Sequence, residues 1–204
     1  MKKALFYGIL ASFFFAFTFL LNRSMHLAGG YWLWSACLRY LFTFPILAAV
    51  LAISGKKQKT RPLSHTWAEI TKAPGEWFLW SLVSSDISTL ERVYAMTLCS
   101  LPVWIFLSIW AFITHGLPGR DQLIQSFFVA LFSGTAATVL FFKATDMVKH
   151  NHKWLAVIEA TQSGEVIFTL LGGILFLKDP IPSAIGLAGI AIIVAGMTGN
   201  SLCQ

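Results

Sequence analysis

The chain has 204 residues, of which 56% are apolar and only 12% are charged. Soluble domains carry about 25% charged residues, and a single soluble core of this length could not bury so much apolar surface. Together with a mean hydropathy of +0.70, the composition argues against a soluble domain and predicts an all-α protein whose apolar surface faces a lipid bilayer.

Six segments are long and apolar enough to cross a bilayer as helices, which takes about 20 residues each. In chain order they are Ala4–Leu21, Tyr31–Ile53, Val93–Thr114, Gln122–Phe142, Leu155–Leu177 and Ile181–Gly199. The first follows Lys2 and Lys3 but is longer than the apolar part of a signal peptide and precedes no cleavage motif. It is therefore interpreted as a span. A seventh segment, Trp77–Val83, is too short to cross, so the sequence predicts a polytopic bundle of about six transmembrane helices.

The basic residues fall mainly on one side of these spans. If the N-terminus is cytoplasmic, three of the 15 lysines and arginines lie outside (Arg23, Arg120, Lys178) and Arg39 lies within a span. The remaining eleven lie in the cytoplasm: Lys2, Lys3, Lys56, Lys57, Lys59, Arg61, Lys72, Arg92, Lys143, Lys149 and Lys153. This positive-inside bias predicts a multi-pass protein of the cell (plasma or inner) membrane with both termini cytoplasmic. It also accounts for the net charge of +6 without nucleic acid as a partner.

One span carries polar residues that a lipid-facing helix would not tolerate. The string "EATQSGEVIF" (159–168) lies within Trp154–Leu177, which has no Lys, Arg or Asp. Gln162 is three residues from both Glu159 and Glu165, and Thr161 and Thr169 are each four residues from Glu165. At helical spacing these side chains form one band. Ionisable groups at membrane depth usually face protein or a water-filled cavity, so the band is predicted to face the bundle interior.

The neutral members of this band could simply hold helices together by hydrogen bonds. The two carboxylates are harder to explain in that way, because a buried carboxylate without a partner takes up a proton instead of staying charged. Glu165 is therefore interpreted as a proton- or cation-binding group, and Glu159 as a wetter neighbour nearer the cytoplasmic end.

Arg39 is the other ionisable residue within a span, and two interpretations of it remain open. Its guanidinium could form an ion pair with one of the two glutamates, or it could bind an anionic group of a substrate. Trp34 offers an aromatic face suited to an organic cation, whereas Tyr31 and Trp32 are more typical of the aromatic belt at a membrane interface.

Several strings resemble a known superfamily. "VALFSGTAATVLFFKATDMV", "AVIEATQSGEVIFTLLGGILFL" and "PIPSAIGLAGIAIIVAGM" resemble the last three helices of EamA-like drug/metabolite transporters, and Gly189 and Gly196 match a spacing in their final helix. "LNRSM" (21–25) and "EATQSGE" (159–165) resemble EmrE-related bacterial multidrug resistance efflux transporters. The resemblance implies proton-coupled efflux of small organic or cationic compounds. The candidate substrate- and proton-binding residues are Glu165, Glu159, Gln162 and Arg39, with Asn22, Arg23, Thr161, Thr169 and Trp34 in support.

The chain departs from this family in two respects. Full-length members have ten helices in two inverted halves, and here about four central helices are absent, equivalent to about 100 residues. We therefore divide the chain into residues 1–85, a partial repeat with two spans, a basic cytoplasmic loop and a short apolar remnant, and residues 86–204, an EamA-like repeat of four spans. Small multidrug exporters also use a glutamate in their first helix, whereas Ala4–Leu21 contains no acidic residue.

Three functions follow from these observations. The leading one is proton-coupled efflux, the second is a metabolite carrier in which Arg39 holds a carboxylate, and the third is an internally deleted remnant that transports nothing. An enzyme is not expected because no nucleophile–base or metal-ligand pattern is present, and no cofactor is predicted. The expected partners are the lipid bilayer, a small-molecule substrate and a second copy of the chain, because helices without their symmetry mates would leave polar faces uncovered.

Overall fold

The computed structural model describes residues 1–54 and 88–203. The predicted apolar segment Trp77–Val83 and most of the basic loop Ser54–Gly75 lie outside the described residues. The described part is helical: α1 Lys2–Leu27, α2 Trp32–Ser54, α3 Thr89–His115, α4 Arg120–Val129, a π-helix Ala130–Ala137, α5 Thr138–Asp146, α6 His152–Ala160, α7 Ser163–Phe176 and α8 Ala184–Cys203.

Within residues 1–54 and 88–203, five helical segments are long and apolar enough to cross a membrane: Lys2–Leu27, Trp32–Ile53, Thr89–His115, Arg120–Asp146 and His152–Phe176. The apolar part of α8, Ala184–Gly199, is a shorter sixth. The prediction of an all-α polytopic bundle is thereby confirmed. α8 begins three residues later than expected because Pro182 disfavours helical backbone at Ile181, and the Ser183 hydroxyl accepts a hydrogen bond from the Gly186 amide (3.3 Å).

α3 begins one turn before the apolar segment that predicted it. The Ser88 hydroxyl accepts a hydrogen bond from the Glu91 amide (3.3 Å), and the Glu91 carboxylate accepts one from the Ser88 amide (2.9 Å). This reciprocal pair is a capping box, which satisfies two amides that a helix start otherwise leaves unpaired. It explains how Glu91 is buried at the end of an apolar helix.

The helices form two compact units. Unit 1 comprises Met1–Ser24 and Ala136–Gln204, and unit 2 comprises Met25–Thr135. The predicted division at residues 85 and 86 describes sequence repeats, whereas these units are defined by packing, and unit 1 combines both ends of the chain. That division remains a prediction.

Unit 2 is built on α2. The start of α2 meets the end of α3, where the Trp34 indole N–H donates to the Gly116 carbonyl (3.0 Å). The opposite ends of these helices meet where the Phe44 and Tyr94 rings stack, so α2 and α3 are antiparallel. Their shared core consists of Leu33, Trp34, Cys37, Leu38 and Ala111.

Unit 1 places α1 alongside the broken span formed by α6 and α7. Phe13 packs edge-on against Phe168 with ring centroids 5.5 Å apart, and Arg23 bonds Asp179 beyond the end of α7. Because contacts advance in the same direction on both elements, α1 runs parallel to α6 and α7. At the N-terminal end of α1, Ala4, Ala144, Val148 and Ile158 form a buried apolar cluster.

Candidate substrate and proton site

The span that carries the polar band is broken in the middle of the band. α6 ends at Ala160, α7 begins at Ser163, and Thr161 and Gln162 form a turn between them. The amides of Thr161, Gln162, Gly164 and Glu165 each donate to the carbonyl three residues earlier, at 3.0–3.1 Å. This is the tighter 3₁₀ pattern, which within a helix often marks a hinge or a functional site.

Two side-chain hydroxyl groups donate hydrogen bonds to backbone carbonyls at the break. Thr161 Oγ1 donates to the Ile158 carbonyl (2.6 Å) and Ser163 Oγ donates to the Ala160 carbonyl (2.8 Å). In a bilayer a freed carbonyl must find a partner inside the protein, and Thr and Ser side chains are suited to this because they can bond backbone three or four residues earlier. The sequence T-Q-S-G therefore supports a break within an otherwise apolar span.

The break changes how the predicted band is arranged. Glu165 lies in the first turn of α7 and is half-buried, Glu159 lies on α6 and is exposed, and Thr161 and Gln162 lie in the break itself. The regular four-residue spacing therefore holds on one helix only for Glu165 and Thr169. The first turn of a helix favours a negative charge, which is a physical reason for a carboxylate at this position. The roles of these five residues remain predictions.

α1 approaches the break closely. A Cβ placed on Gly8 would lie 2.6 Å from Thr161 Oγ1, and one placed on Gly164 would lie 3.0 Å from Ser12 Oγ. Ser12 is fully buried, and its hydroxyl donates to the Ile9 carbonyl (2.8 Å). The contact requires glycine on each side, at Gly8 of α1 and at Gly164 of α7. A methyl group at either position would clash with the side chain opposite it.

Two of the supporting residues carry buried oxygen atoms. Asn22 Oδ1 on α1 and Thr169 Oγ1 on α7 have no hydrogen-bond partner among the residues that the structure describes. A buried polar atom left unpaired costs free energy. Water or a ligand that reached these two oxygens would supply the missing hydrogen bonds. Both belong to unit 1, as do Glu159 and Glu165.

Arg23 was predicted as a supporting site residue, and the structure places it in an ion pair. Its Nε donates to Asp179 Oδ2 (3.1 Å) and its Nη2 donates to Asp179 Oδ1 (2.9 Å). These hydrogen bonds hold the pKa of the Asp179 carboxyl below its usual value. Sequence reasoning missed Asp179, although the predicted topology puts both residues beyond spans that end on the same side of the membrane.

Arg39 lies on α2 in unit 2 and is half-buried. Its Nη2 donates to Ser133 Oγ (3.1 Å), and Ser133 is fully buried within the π-helix. Thr43, one turn further along α2, packs against Gly134 of the same segment. The sequence did not predict Ser133 as a contact or the π-helix, a feature often found at functional sites. Both interpretations of Arg39 remain predictions.

Trp34 lies in the core of unit 2 and is only 8% exposed. Its indole N–H donates a hydrogen bond to the Gly116 carbonyl, which holds this side chain in place. Within residues 1–54 and 88–203, no group of three or more His, Cys, Asp or Glu side chains is arranged to hold a metal ion.

The number, length and composition of the helices are those of a multi-pass membrane protein. Residues 2–86 and 80–204 match the EmrE family, described as "Putative multidrug resistance efflux transporter". The chain belongs to this family of membrane transporters.

Two proteins of known sequence are similar to the chain. "Uncharacterized protein YjlA" of Bacillus subtilis is 31% identical over 307 aligned positions, which cover 96% of this chain and 93% of the relative. An "Uncharacterized 42.1 kDa protein in intracellular alkaline protease 3'region" of Shouchella clausii is 28% identical, over 85% of this chain and 73% of the relative. No solved structure matches the chain.

The alignment with the Bacillus relative supports the predicted internal loss. Its 307 positions exceed the 204 residues of this chain by 103, so at least that many positions have no counterpart here. At about 20 residues per span plus loops, this corresponds to about four helices.

Proposed function

We propose that the protein exports small organic or cationic compounds from the cell in exchange for protons, with Glu165 as the group that both ligands share. The observation that carries this proposal is the position of Glu165, half-buried in the first turn of α7 directly after the break in an apolar span. Transporters often bind substrate and coupling ion where a transmembrane helix is interrupted.

The chemistry requires one site that binds a proton or a cation but not both. A carboxylate meets this requirement, because its charged form attracts a cation and its protonated form does not. Gln162 lies three residues before Glu165, and its Nε2 is 3.5 Å from Thr161 Oγ1. The amide can therefore contribute further hydrogen bonds at the break, while the exposed Glu159 lies one turn nearer the start of the span.

The distribution of basic side chains supports an orientation with both termini cytoplasmic. In unit 1, one end of the helices carries Lys2, Lys3, Lys143, Lys149 and Lys153. The other end carries Arg23, which is paired with Asp179, and Lys178. Because lysine and arginine are retained on the cytoplasmic side, the lysine-rich end is assigned to the cytoplasm of a cell membrane.

A second candidate is transport of an anionic metabolite, favoured by the contact between Arg39 and Ser133. A guanidinium and a hydroxyl side by side form a suitable site for a carboxylate. A competition experiment distinguishes the two functions. Organic cations should inhibit transport if the leading proposal holds, and small carboxylates should inhibit it if the second candidate holds.

The test is ethidium efflux from energised vesicles across a range of pH, comparing wild type with Glu165→Gln. Glutamine keeps the shape and the hydrogen bonding of glutamate but cannot titrate, so proton-driven efflux should be abolished while insertion and folding stay nearly intact. Glu159→Gln is the matched control and should reduce efflux less, because Glu159 is exposed.

Two results would contradict the proposal. If Glu165→Gln transports as well as an active wild type, the carboxylate is structural. If wild type moves neither ethidium nor any competing cation or carboxylate, the chain is a membrane-inserted remnant that has lost transport together with its missing helices.

A further inference from the structure

Unit 2 contains a cavity of about 330 Å³ at one end of its helices, separate from the residues considered above except Trp34. It is bounded by the turn at Gly29 and Gly30, the start of α2, the end of α3 and the first turns of α4. Tyr31, His115, Asp121 and Gln125 contribute side chains that could meet a ligand.

The floor of this cavity is held in place by Gln122, which is only 6% exposed. Its Nε2 donates to the Tyr31 carbonyl (2.7 Å) and to Ser35 Oγ (2.9 Å). Ser35 in turn bonds the sulfur of Met25 (3.6 Å). These hydrogen bonds hold the start of α2 against α4. The cavity therefore exists without a bound ligand.

The walls of the cavity combine an aromatic pair with a buried amide oxygen and an exposed carboxylate. The Tyr31 ring and the His115 imidazole stack with centroids 3.5 Å apart and planes at 12°. Gln125 Oε1 is buried without a hydrogen-bond partner in the described part of the chain. Asp121 adds an exposed carboxylate, and the cationic side chain of Arg120 also lines the cavity.

We propose that this cavity is a second binding site for flat organic cations, distinct from the Glu165 site. Its aromatic pair suits a flat cationic ring, and the Asp121 carboxylate supplies the opposite charge. The compound class rests on the proposed function, whereas the site itself rests on the cavity and its lining.

Binding of ethidium, measured by its own fluorescence, to the purified full chain in lipid nanodiscs tests the site. Glu165→Gln serves as the background, so that binding at the first site does not mask the second. In this background Asp121→Asn should weaken binding about fivefold, the effect of one nearby charge in a water-filled space. Tyr31→Leu should weaken it about threefold through loss of an aromatic face.

The neighbouring Arg120 gives a control of opposite sign. Arg120→Gln should strengthen ethidium binding, because it removes a like charge from the cavity, and both charge effects should diminish at high salt. Asp146→Asn, which removes a carboxylate from unit 1 and none from the cavity, should leave binding unchanged.

The inference is overturned if the Glu165→Gln protein does not bind ethidium, or if Asp121→Asn binds it like Asp146→Asn. It is also overturned if Arg120→Gln weakens binding, since the cavity would then favour anions. These outcomes are separate from failure of the proposed function: a wild type that transports nothing but shows this binding pattern refutes efflux and leaves the second site standing.

Discussion

Arg23 and Asp179 join the end of α1 to the loop that follows α7, through hydrogen bonds to both carboxylate oxygens. Both side chains are accessible, at 51% and 26% exposed. Exposed ion pairs usually stabilise a fold only slightly, although a bidentate arginine–carboxylate pair is the more favourable geometry. Arg23 is therefore better explained as an anchor for α1 than as a substrate ligand.

This assignment predicts what exchanging the two charges will do. Arg23→Asp and Asp179→Arg should each lower the thermal midpoint of the protein in nanodiscs, because each leaves two like charges together. The double exchange should recover most of that loss. Efflux should follow stability across the three variants. A double exchange that is stable but transports nothing would instead assign Arg23 to the substrate path.

The same pair predicts a pH dependence. Arg23 holds the pKa of Asp179 below its usual value, so the pair contributes fully at any pH above the unfolded value, about 3.9 for aspartate. The contribution is lost as pH falls through the lower folded pKa. The difference in thermal midpoint between wild type and Asp179→Asn should therefore be constant from about pH 8 to 5 and should shrink near pH 3. A difference that disappears by pH 6 would contradict this assignment.

At this scale the sequence identifies which residues are unusual but not which residues they contact. Glu165 and Arg39 stand out because an ionisable side chain in an apolar span is rare. Their surroundings depend on residues far away in the chain: Ser133 is 94 residues from Arg39, and Asp179 is 156 residues from Arg23. Neither distance leaves a local sequence signal, so these contacts could not be predicted.

At the scale of elements, the packing of α1 against the break between α6 and α7 gives a sharp prediction. A methyl group on residue 8 would meet Thr161 Oγ1 at 2.6 Å. That hydroxyl cannot turn away without losing its own hydrogen bond to the Ile158 carbonyl (2.6 Å). Gly8→Ala should therefore destabilise the protein by about 1–3 kcal/mol, the usual cost of overpacking, as measured by unfolding in a denaturing detergent mixture.

A matched control and a rescue accompany this change. Gly189→Ala on α8 should be neutral or slightly stabilising, because a Cβ there meets nothing within 4 Å. Adding Thr161→Ala to Gly8→Ala should remove the clash, so the double variant should be about as stable as Thr161→Ala alone. Additive losses in the double variant would show that the close contact is not the cause.

The break itself could be anticipated only weakly from the sequence. Length and hydropathy correctly predict a span at Leu155–Leu177, because an apolar run of that size has few alternatives. They cannot locate a 3₁₀ turn, which here depends on hydroxyls at Thr161 and Ser163 and on Gly8 of another helix. The four adjacent residues T-Q-S-G, with below-average helix propensity among them, are the local signal. The π-helix Ala130–Ala137 contains Ser133, Gly134 and Thr135, a similar run that does not by itself specify a π-helix.

For the whole molecule, the asymmetry of basic residues predicts orientation. In a background with Cys37, Cys99 and Cys203 replaced by serine, Arg120→Cys should react with a membrane-impermeant maleimide added to intact cells. Asn151→Cys should react only after permeabilisation. Arg120 begins the span Arg120–Asp146 and Asn151 lies in the connection that follows it, so each serves as the control for the other. Labelling of Asn151→Cys alone would reverse the orientation.

The predicted loss of about four internal helices leads to a prediction about the oligomeric state of the chain. The Bacillus relative carries at least 103 positions that this chain lacks, and helices without their repeat mates expose surface that a second copy could cover. We expect the active form to be a dimer, detectable as two-step photobleaching of singly labelled protein in liposomes, with efflux rising with the dimer fraction. A monomer that transports at the full rate would contradict this expectation.

The parallel pairing of α1 with α6 and α7 has a consequence for synthesis. Arg23 and Asp179 are 156 residues apart, so at about 5–20 residues per second the ribosome makes the second about 8 to 30 s after the first. During this interval α1 waits in the membrane without the helix that it will contact, with Gly8 and Ser12 facing lipid or a substitute partner. α1 is made before the other helices that the structure describes but is among the last to reach its final contacts, and a membrane chaperone would have its longest opportunity to act on it.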